Sequence, residues 1–359
     1  MPTVRAEGGP IATPIPTPAV PSGPSTGARP ALSRRSTRSA GVAIGLVSAM
    51  CFGTSGTFGT ALIGAGWSPA GAVFARVLVA ALALTVPAVV ALRGRWRALR
   101  RSAWQVTVYG LVGVAACQVC YFNAIARMPG GISIMLEYLG IVLIVGWLWA
   151  RHGQRPRPLT IGGGVAALGG LALMLNLTGS GGVSLIGVLW ALAAAVSMAV
   201  YFFQSAATSG VNAEGVNAES VVAERGAPGA DADGSGDLPP VVLTWCGMIV
   251  GAAAIALVGA AGVMPLRFAG SDVALFGGRT SWIVPVLGLG VVAAAIAYVT
   301  GIGAARRLGP KFGSFVAMAE IGFAVLFAWI LLHQTPTALQ FAGGGLILAG
   351  VIAVRLDEP

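Results

Sequence analysis

Charge is scarce in this 359-residue chain: Asp, Glu, Lys and Arg together make up 9% of it, against a hydrophobic share of 56%. Soluble domains run near 25% charged, so a polar shell around a core of this size cannot be built. That excludes a soluble enzyme, a disordered regulator and a nucleic-acid-binding module. Lysine is almost missing, since Lys311 is the single lysine among 22 basic residues. With the Ala and Gly excess this matches the residue usage of a GC-rich genome and carries no functional weight. Histidine is limited to His152 and His333, both between apolar runs, and no His-Glu-x-x-His motif or pair of catalytic aspartates lies within one. The 53 glycines follow no strict triplet and so do not indicate collagen. None of the glycine groups runs into Lys-Ser/Thr, which excludes a phosphate loop and with it direct drive by ATP.

Cysteine is also sparse, at four residues: Cys51, Cys117, Cys120 and Cys246. Cys117 and Cys120 have the spacing of a redox pair or half a metal site. They lie beyond the middle of an apolar run, not at an exposed helix start where a thiolate is stabilised. Neither a second such pair nor a nearby histidine completes a zinc site. They read as small buried hydrophobes, and the chain requires no metal and no cofactor.

What remains is a membrane protein. Ten apolar stretches run near 41–63, 70–92, 103–125, 130–150, 158–177, 183–206, 239–262, 281–304, 312–332 and 337–354. Each is long enough to cross a ~30 Å hydrocarbon core as a helix. Residues 1–39 carry eight prolines and read as a disordered tail with no cleavable leader. With that tail in the cytoplasm, 18 basic residues fall on the cytoplasmic side and three (Arg127, Arg267, Arg279) outside. The largest group is Arg93, Arg95, Arg97, Arg100 and Arg101. Such a bias predicts ten spans with both termini cytoplasmic, against anionic lipid. The segment 207–238 holds six acids and one arginine and reads as a disordered cytoplasmic loop.

The chain also repeats itself. Tyr121, Arg127, Glu137, Gly162-Gly163-Gly164 and Gly169 in the first half are echoed by Tyr298, Arg307, Glu320, Gly343-Gly344-Gly345 and Gly350 in the second. Two five-span repeats, over 40–177 and 183–355, must enter the membrane from opposite sides, because five is odd. The expected fold is therefore an all-α membrane protein of ten transmembrane helices in two inverted repeats. Such an arrangement lets one site open alternately to either face. The glycine groups allow close helix contact, making spans five and ten contact helices at the periphery or at a homodimer surface.

Only Arg76, Glu137 and Glu320 are charged residues well inside predicted spans. A mid-membrane charge costs at least ~2.5 kcal/mol unless paired or wet. Each glutamate has three readings: contact with a cationic or amino group of a substrate, proton exchange, or an interhelical hydrogen bond that fixes packing. Arg76 can pair with Glu137, meet a carboxylate, or snorkel to the outer surface. Ser55 in span one, Gln118, Tyr121 and Asn123 in span three, Tyr201 in span six and Tyr298 in span eight are candidate cavity-lining residues, with burial against another helix as the alternative for each.

Ser48-Ala49-x-x-Phe52-Gly53-Thr54-Ser55 and Phe74-Ala75-Arg76 resemble the first half of an EamA-type transporter, of the drug/metabolite transporter superfamily. The stretch Ala126-Arg127-Met128-Pro129-Gly130-Gly131 through Glu137-Tyr138-Leu139-Gly140 is similar to the threonine/homoserine exporter-like branch. Arg307-Leu308-Gly309-Pro310 through Glu320 is also similar, although Ile321 stands where that branch tends to have proline. The resemblance covers about residues 40–355. It implies a multi-pass carrier of the bacterial cytoplasmic membrane, with spans five and ten peripheral. It also implies secondary export of small polar metabolites such as amino acids, with protons weighed as the coupling ion. The alternatives are an exporter of hydrophobic or cationic drugs, an intramembrane enzyme and a non-transporting scaffold.

Overall fold

Without water to satisfy them, backbone amides in an apolar run must bond within their own segment, and the described chain is built almost wholly of helices. The computed structural model describes residues 31–140, 142–143, 158–175, 184–208, 238–334 and 337–357. The tail before residue 31, Arg151, Arg155 and Arg157, the divider 178–182 and the acidic segment 209–237 lie outside the described residues. So does the far end of the expected fourth span.

Helices α1 (Ala31–Gly64), α2 (Pro69–Leu92), α3 (Trp96–Arg101), α4 (Ala103–Val108), α5 (Cys117–Ile125), α6 (Gly130–Glu137) and α7 (Pro158–Leu175) form the first half. In the second are α8 (Leu185–Thr208), α9 (Pro240–Ala260), α10 (Ile283–Leu287), α11 (Ala297–Ala317), α12 (Ala319–Leu332) and α13 (Ala338–Asp357). Among the described residues, five helices are long and apolar enough to cross a membrane, and four shorter apolar ones join them. Start signals are visible at α2, where Ser68 caps the helix by accepting from the Gly71 amide and Pro69 occupies the first turn.

Four features depart from expectation. The first helix begins at Ala31, inside the stretch expected as tail. Spans three and eight each contain a π-helix, Tyr109–Ala116 and Gly288–Ile296, at roughly corresponding places in the two halves. The chain is not purely helical, because Val273–Leu275 and Gly278–Thr280 form an antiparallel hairpin, with Val273 opposite Thr280. Phe276 and Gly277 turn it with φ of 57° and 73°, the geometry a tight hairpin requires.

Finally, helix runs through the expected loop between spans eight and nine, as far as Ala317. It is not straight. A Cβ at Gly45 would lie 3.3 Å from Ala304 and 2.7 Å from Val316, although residues twelve apart in a straight helix are ~18 Å apart. The chain must turn sharply between them, where Gly309-Pro310 removes an amide donor.

Packing between the halves is reciprocal. Helix α1 lies against the second π-helix, α11 and α12, while α8 lies against the first π-helix, α5 and α6. Likewise α2 meets the second π-helix and α9 meets the first. Helices α6 and α12 touch each other at the centre, and α7 and α13 pair at the side. In that pair Gly170 faces the Gly343 carbonyl, where a Cβ would come to 2.5 Å, and Gly350 faces the Gly163 carbonyl in the same manner. The repeated glycines thus bring spans five and ten together within one chain.

Candidate functional site

Arg76 sits on α2 and is 3% exposed. Its Nη1 donates to the Ser55 hydroxyl of α1 and, at 3.1 Å, to Gln118 Oε1 of α5. Its Nη2 donates to the Ala293 carbonyl at 3.0 Å, inside the second π-helix. The Phe122 ring lies 5.9 Å from the guanidinium carbon, within cation–π range. Helices from both halves therefore hold this cation, and it does not snorkel outward. The wide π-turn gives a span-eight carbonyl room to accept from a side chain. Arg76 has no copy in the second half. There Trp245 donates to Thr85 at 3.1 Å instead, tying α9 to α2.

The two glutamates are buried as well. Glu137 ends α6, and the Cys117 thiol donates to its Oε1 at 3.4 Å. Glu320 lies in the first turn of α12, where the helix dipole favours a carboxylate. The Tyr138 hydroxyl donates to its Oε2 at 3.2 Å. A residue next to one glutamate thus holds the other. No reverse bond can form, since Ile321 stands in the position equivalent to Tyr138.

These groups enclose a cavity of about 30 Å³ lined by Phe52, Ser55, Arg76, Gln118, Tyr121, Ile134, Glu137, Tyr298 and Glu320. Tyr298 stands edge-on to Phe52 at 5.1 Å. Of the residues singled out in the sequence, the structure brings together Ser55, Arg76, Gln118, Tyr121, Glu137, Tyr298 and Glu320. Asn123 is elsewhere: its amide donates to the Val119 carbonyl at 2.9 Å and its side-chain oxygen accepts from Arg127 at 3.3 Å. Tyr201 falls on α8, and its side chain lies outside the described ones. A 30 Å³ space admits about one water, whereas small-molecule sites run ~300–1,000 Å³. The cavity is too small for a metabolite in this state.

A larger crevice of about 220 Å³ lies between α6, α12 and α13, beside Ile132, Ile321 and Phe341. No charged side chain lines it, so chemistry, not size, directs the assignment to the smaller cavity.

A clamp ties the two halves together at one end of the bundle, about 10–14 Å along α1 and α2 from Ser55 and Arg76. The turn between those helices bonds to the loop after α9. Trp67 Nε1 donates to the Ala269 carbonyl at 2.7 Å, and the Ser68 amide donates to the Arg267 carbonyl at 3.1 Å. The Arg267 amide donates back to Ser68 Oγ at 3.0 Å, and the Ser271 hydroxyl donates to the Ala65 carbonyl at 3.0 Å. Trp67 packs edge-on against Phe268 at 5.2 Å and lies 5.8 Å from Trp282.

Sequence reasoning missed the Ala293 carbonyl, the clamp, and the parts played by Cys117 and Tyr138. Tyr138 had a signal, since it stands beside Glu137 in the motif. The carbonyl had none, because every residue has one. Among the described residues no three His, Cys, Asp or Glu side chains group as a metal site.

Comparison with known proteins bears on identity. A solved structure described as "Crystal structure of protein" superposes with a TM-score of 0.52 at 21% identity, covering 89% of this chain and 97% of its own. That likeness speaks to the fold. No curated protein matches the chain at a significant level. The profile of the EamA-like transporter family matches twice, over residues 39–176 and 233–356, so each half carries its own copy. The chain belongs to the EamA-like transporter family, and is thus a multi-pass α-helical transporter of the cell membrane with two EamA-like repeat regions, not an enzyme.

Proposed function

We propose that this transporter is a secondary active exporter of small polar metabolites, amino acids or their derivatives, working by alternating access. The observation that supports this reading is one fixed cation and two carboxylates around a single small cavity built from both repeats. A zwitterion matches that set, with its carboxylate on Arg76 and its amino group on one glutamate, while the other glutamate exchanges a coupling proton. In this reading the chain has ten spans in two inverted repeats, both termini are cytoplasmic, and the chain stands near the threonine/homoserine exporter-like branch. The acidic segment 207–238 is an insert within the second repeat.

The test is flux in proteoliposomes under an imposed pH gradient, with a panel of radiolabelled amino acids. Glu137→Gln and Glu320→Gln are each expected to lower flux about ten-fold or more at unchanged membrane insertion, as loss of a charge-assisted contact implies. Normal flux in either variant returns that glutamate to a packing role. A second reading, export of hydrophobic or cationic compounds, draws on the 220 Å³ apolar crevice. It is favoured if lipophilic cations are transported and amino acids are not.

A further inference from the structure

We infer that the segment joining α2 to α4 is a binding site for anionic phospholipid, with headgroup phosphates on its arginines and acyl chains along the exposed side of α2. This inference does not depend on the substrate or direction of transport.

Five arginines fall within residues 93–101, and all five are exposed. Their guanidinium groups make no hydrogen bond or ion pair with any described residue. Nor does the described chain bring them a counter-charge. It contains four acids: Glu137 and Glu320 are buried in the cavity, and Asp272 lies in the clamp loop. The fourth, Asp357, ends α13, which packs chiefly on α7. A dense group of unpartnered guanidinium ions attracts phosphate, which a planar fork of donors binds in bidentate fashion.

The surroundings narrow phosphate to phospholipid. Immediately before the arginines, Leu82, Val86 and Val90 form an exposed apolar stripe at four-residue spacing on α2. Trp96, 60% exposed, lies within the cluster, and Trp104, 72% exposed, follows it. Exposed indoles at the end of an apolar span occupy the headgroup level of a bilayer. The patch therefore reads from hydrocarbon to charge in the same order as a lipid, with the aromatic rings at the boundary. A soluble acidic protein would meet the arginines but has no use for the stripe below them. Each arginine held near an anionic leaflet adds to the attraction, which is screened within a Debye length.

The experiment solubilises the full chain in mild detergent with equal amounts of phosphatidylglycerol and phosphatidylcholine. Mass spectrometry then measures the ratio of the two retained after purification. Phosphatidylglycerol is expected to be enriched about five-fold or more. The enrichment should fall toward parity at about 0.5 M NaCl, where the Debye length is only a few ångström. It should also fall in the combined R95Q/R97Q/R100Q/R101Q variant. The combined R95K/R97K/R100K/R101K variant keeps the charge that orients the chain but not the bidentate fork, and should retain more of the enrichment than the glutamine variant. If the glutamine variant does not fold, the salt titration still decides the matter. Parity in the wild type overturns the inference, as does enrichment insensitive to salt. Enrichment that emerges only after deletion of residues 209–236 also overturns it, and assigns the arginines to the chain's own acidic segment.

Discussion

Ser68 offers the sharpest test of how the clamp ties the two halves together at one end of the bundle. Its hydroxyl accepts two backbone amides at once, Gly71 on its own helix and Arg267 across the repeats, each at 3.0 Å. Ser68→Ala removes both acceptances while leaving the Ser68 amide bond to the Arg267 carbonyl intact. Loss of the helix cap costs about 1 kcal/mol, and losing the part-buried bond from the Arg267 amide adds about 0.5–1.5 kcal/mol. The sum is about 1.5–2.5 kcal/mol, and its middle corresponds to a nearly thirty-fold change in an opening equilibrium. Hydrogen exchange read by mass spectrometry measures that opening directly. Amides of residues 264–275 are expected to exchange about thirty-fold faster in the variant, while peptides from α7 and α13 stay unchanged. Exchange within about three-fold of wild type refutes the reasoning, because the hydroxyl would then not be holding the loop. Faster exchange everywhere refutes it differently, by showing that the substitution loosened the whole fold.

Three further expectations follow from the same contacts. Arg76→Lys retains the charge but cannot reach Ser55, Gln118 and the Ala293 carbonyl together, so flux should fall about as far as in Arg76→Gln, measured in proteoliposomes. Tyr138→Phe removes the buried donor to Glu320. A hydrogen bond to a charged group is worth about 1.5–3 kcal/mol, so flux should drop ten-fold or more while the gel-filtration profile is unchanged. Gly170→Val drives a side chain into the Gly343 carbonyl. Overpacking of this kind costs about 1–3 kcal/mol, and a lowered thermal midpoint in detergent is the readout.

Much of the candidate site was legible from scarcity. In a chain with three charged residues inside its apolar runs, Arg76, Glu137 and Glu320 stand out, and all three line one cavity. Ser55, Gln118, Tyr121 and Tyr298 were also legible, as polar groups in spans that corresponding repeats share. Asn123 shows the limit of that reasoning. It has the same polarity and lies on the same helix, but it is two residues from Tyr121 and bonds along its own helix toward Arg127. The break between spans eight and nine was placed by hydropathy in a loop, whereas helix is present through it and the chain bends between Ala304 and Val316.

Length and polarity alone determined that this chain spans a membrane, because apolar runs of this length have no other stable surroundings. The repeated glutamates and glycines determined that it is built twice, since duplication leaves its mark in spacing. Tertiary structure alone decided which groups meet. The bond from Arg76 to the Ala293 carbonyl joins residues 217 positions apart, and that from Tyr138 to Glu320 joins residues 182 apart. No local pattern encodes such contacts; they arise when two π-widened helices and the central α6–α12 pair pack across the repeats. The clamp is of the same kind, as its donors and acceptors are backbone groups that every residue carries. Only folding brings the turn at Trp67–Ser68 against the loop at 267–271, and that packing leaves the cavity too small for a substrate in this state.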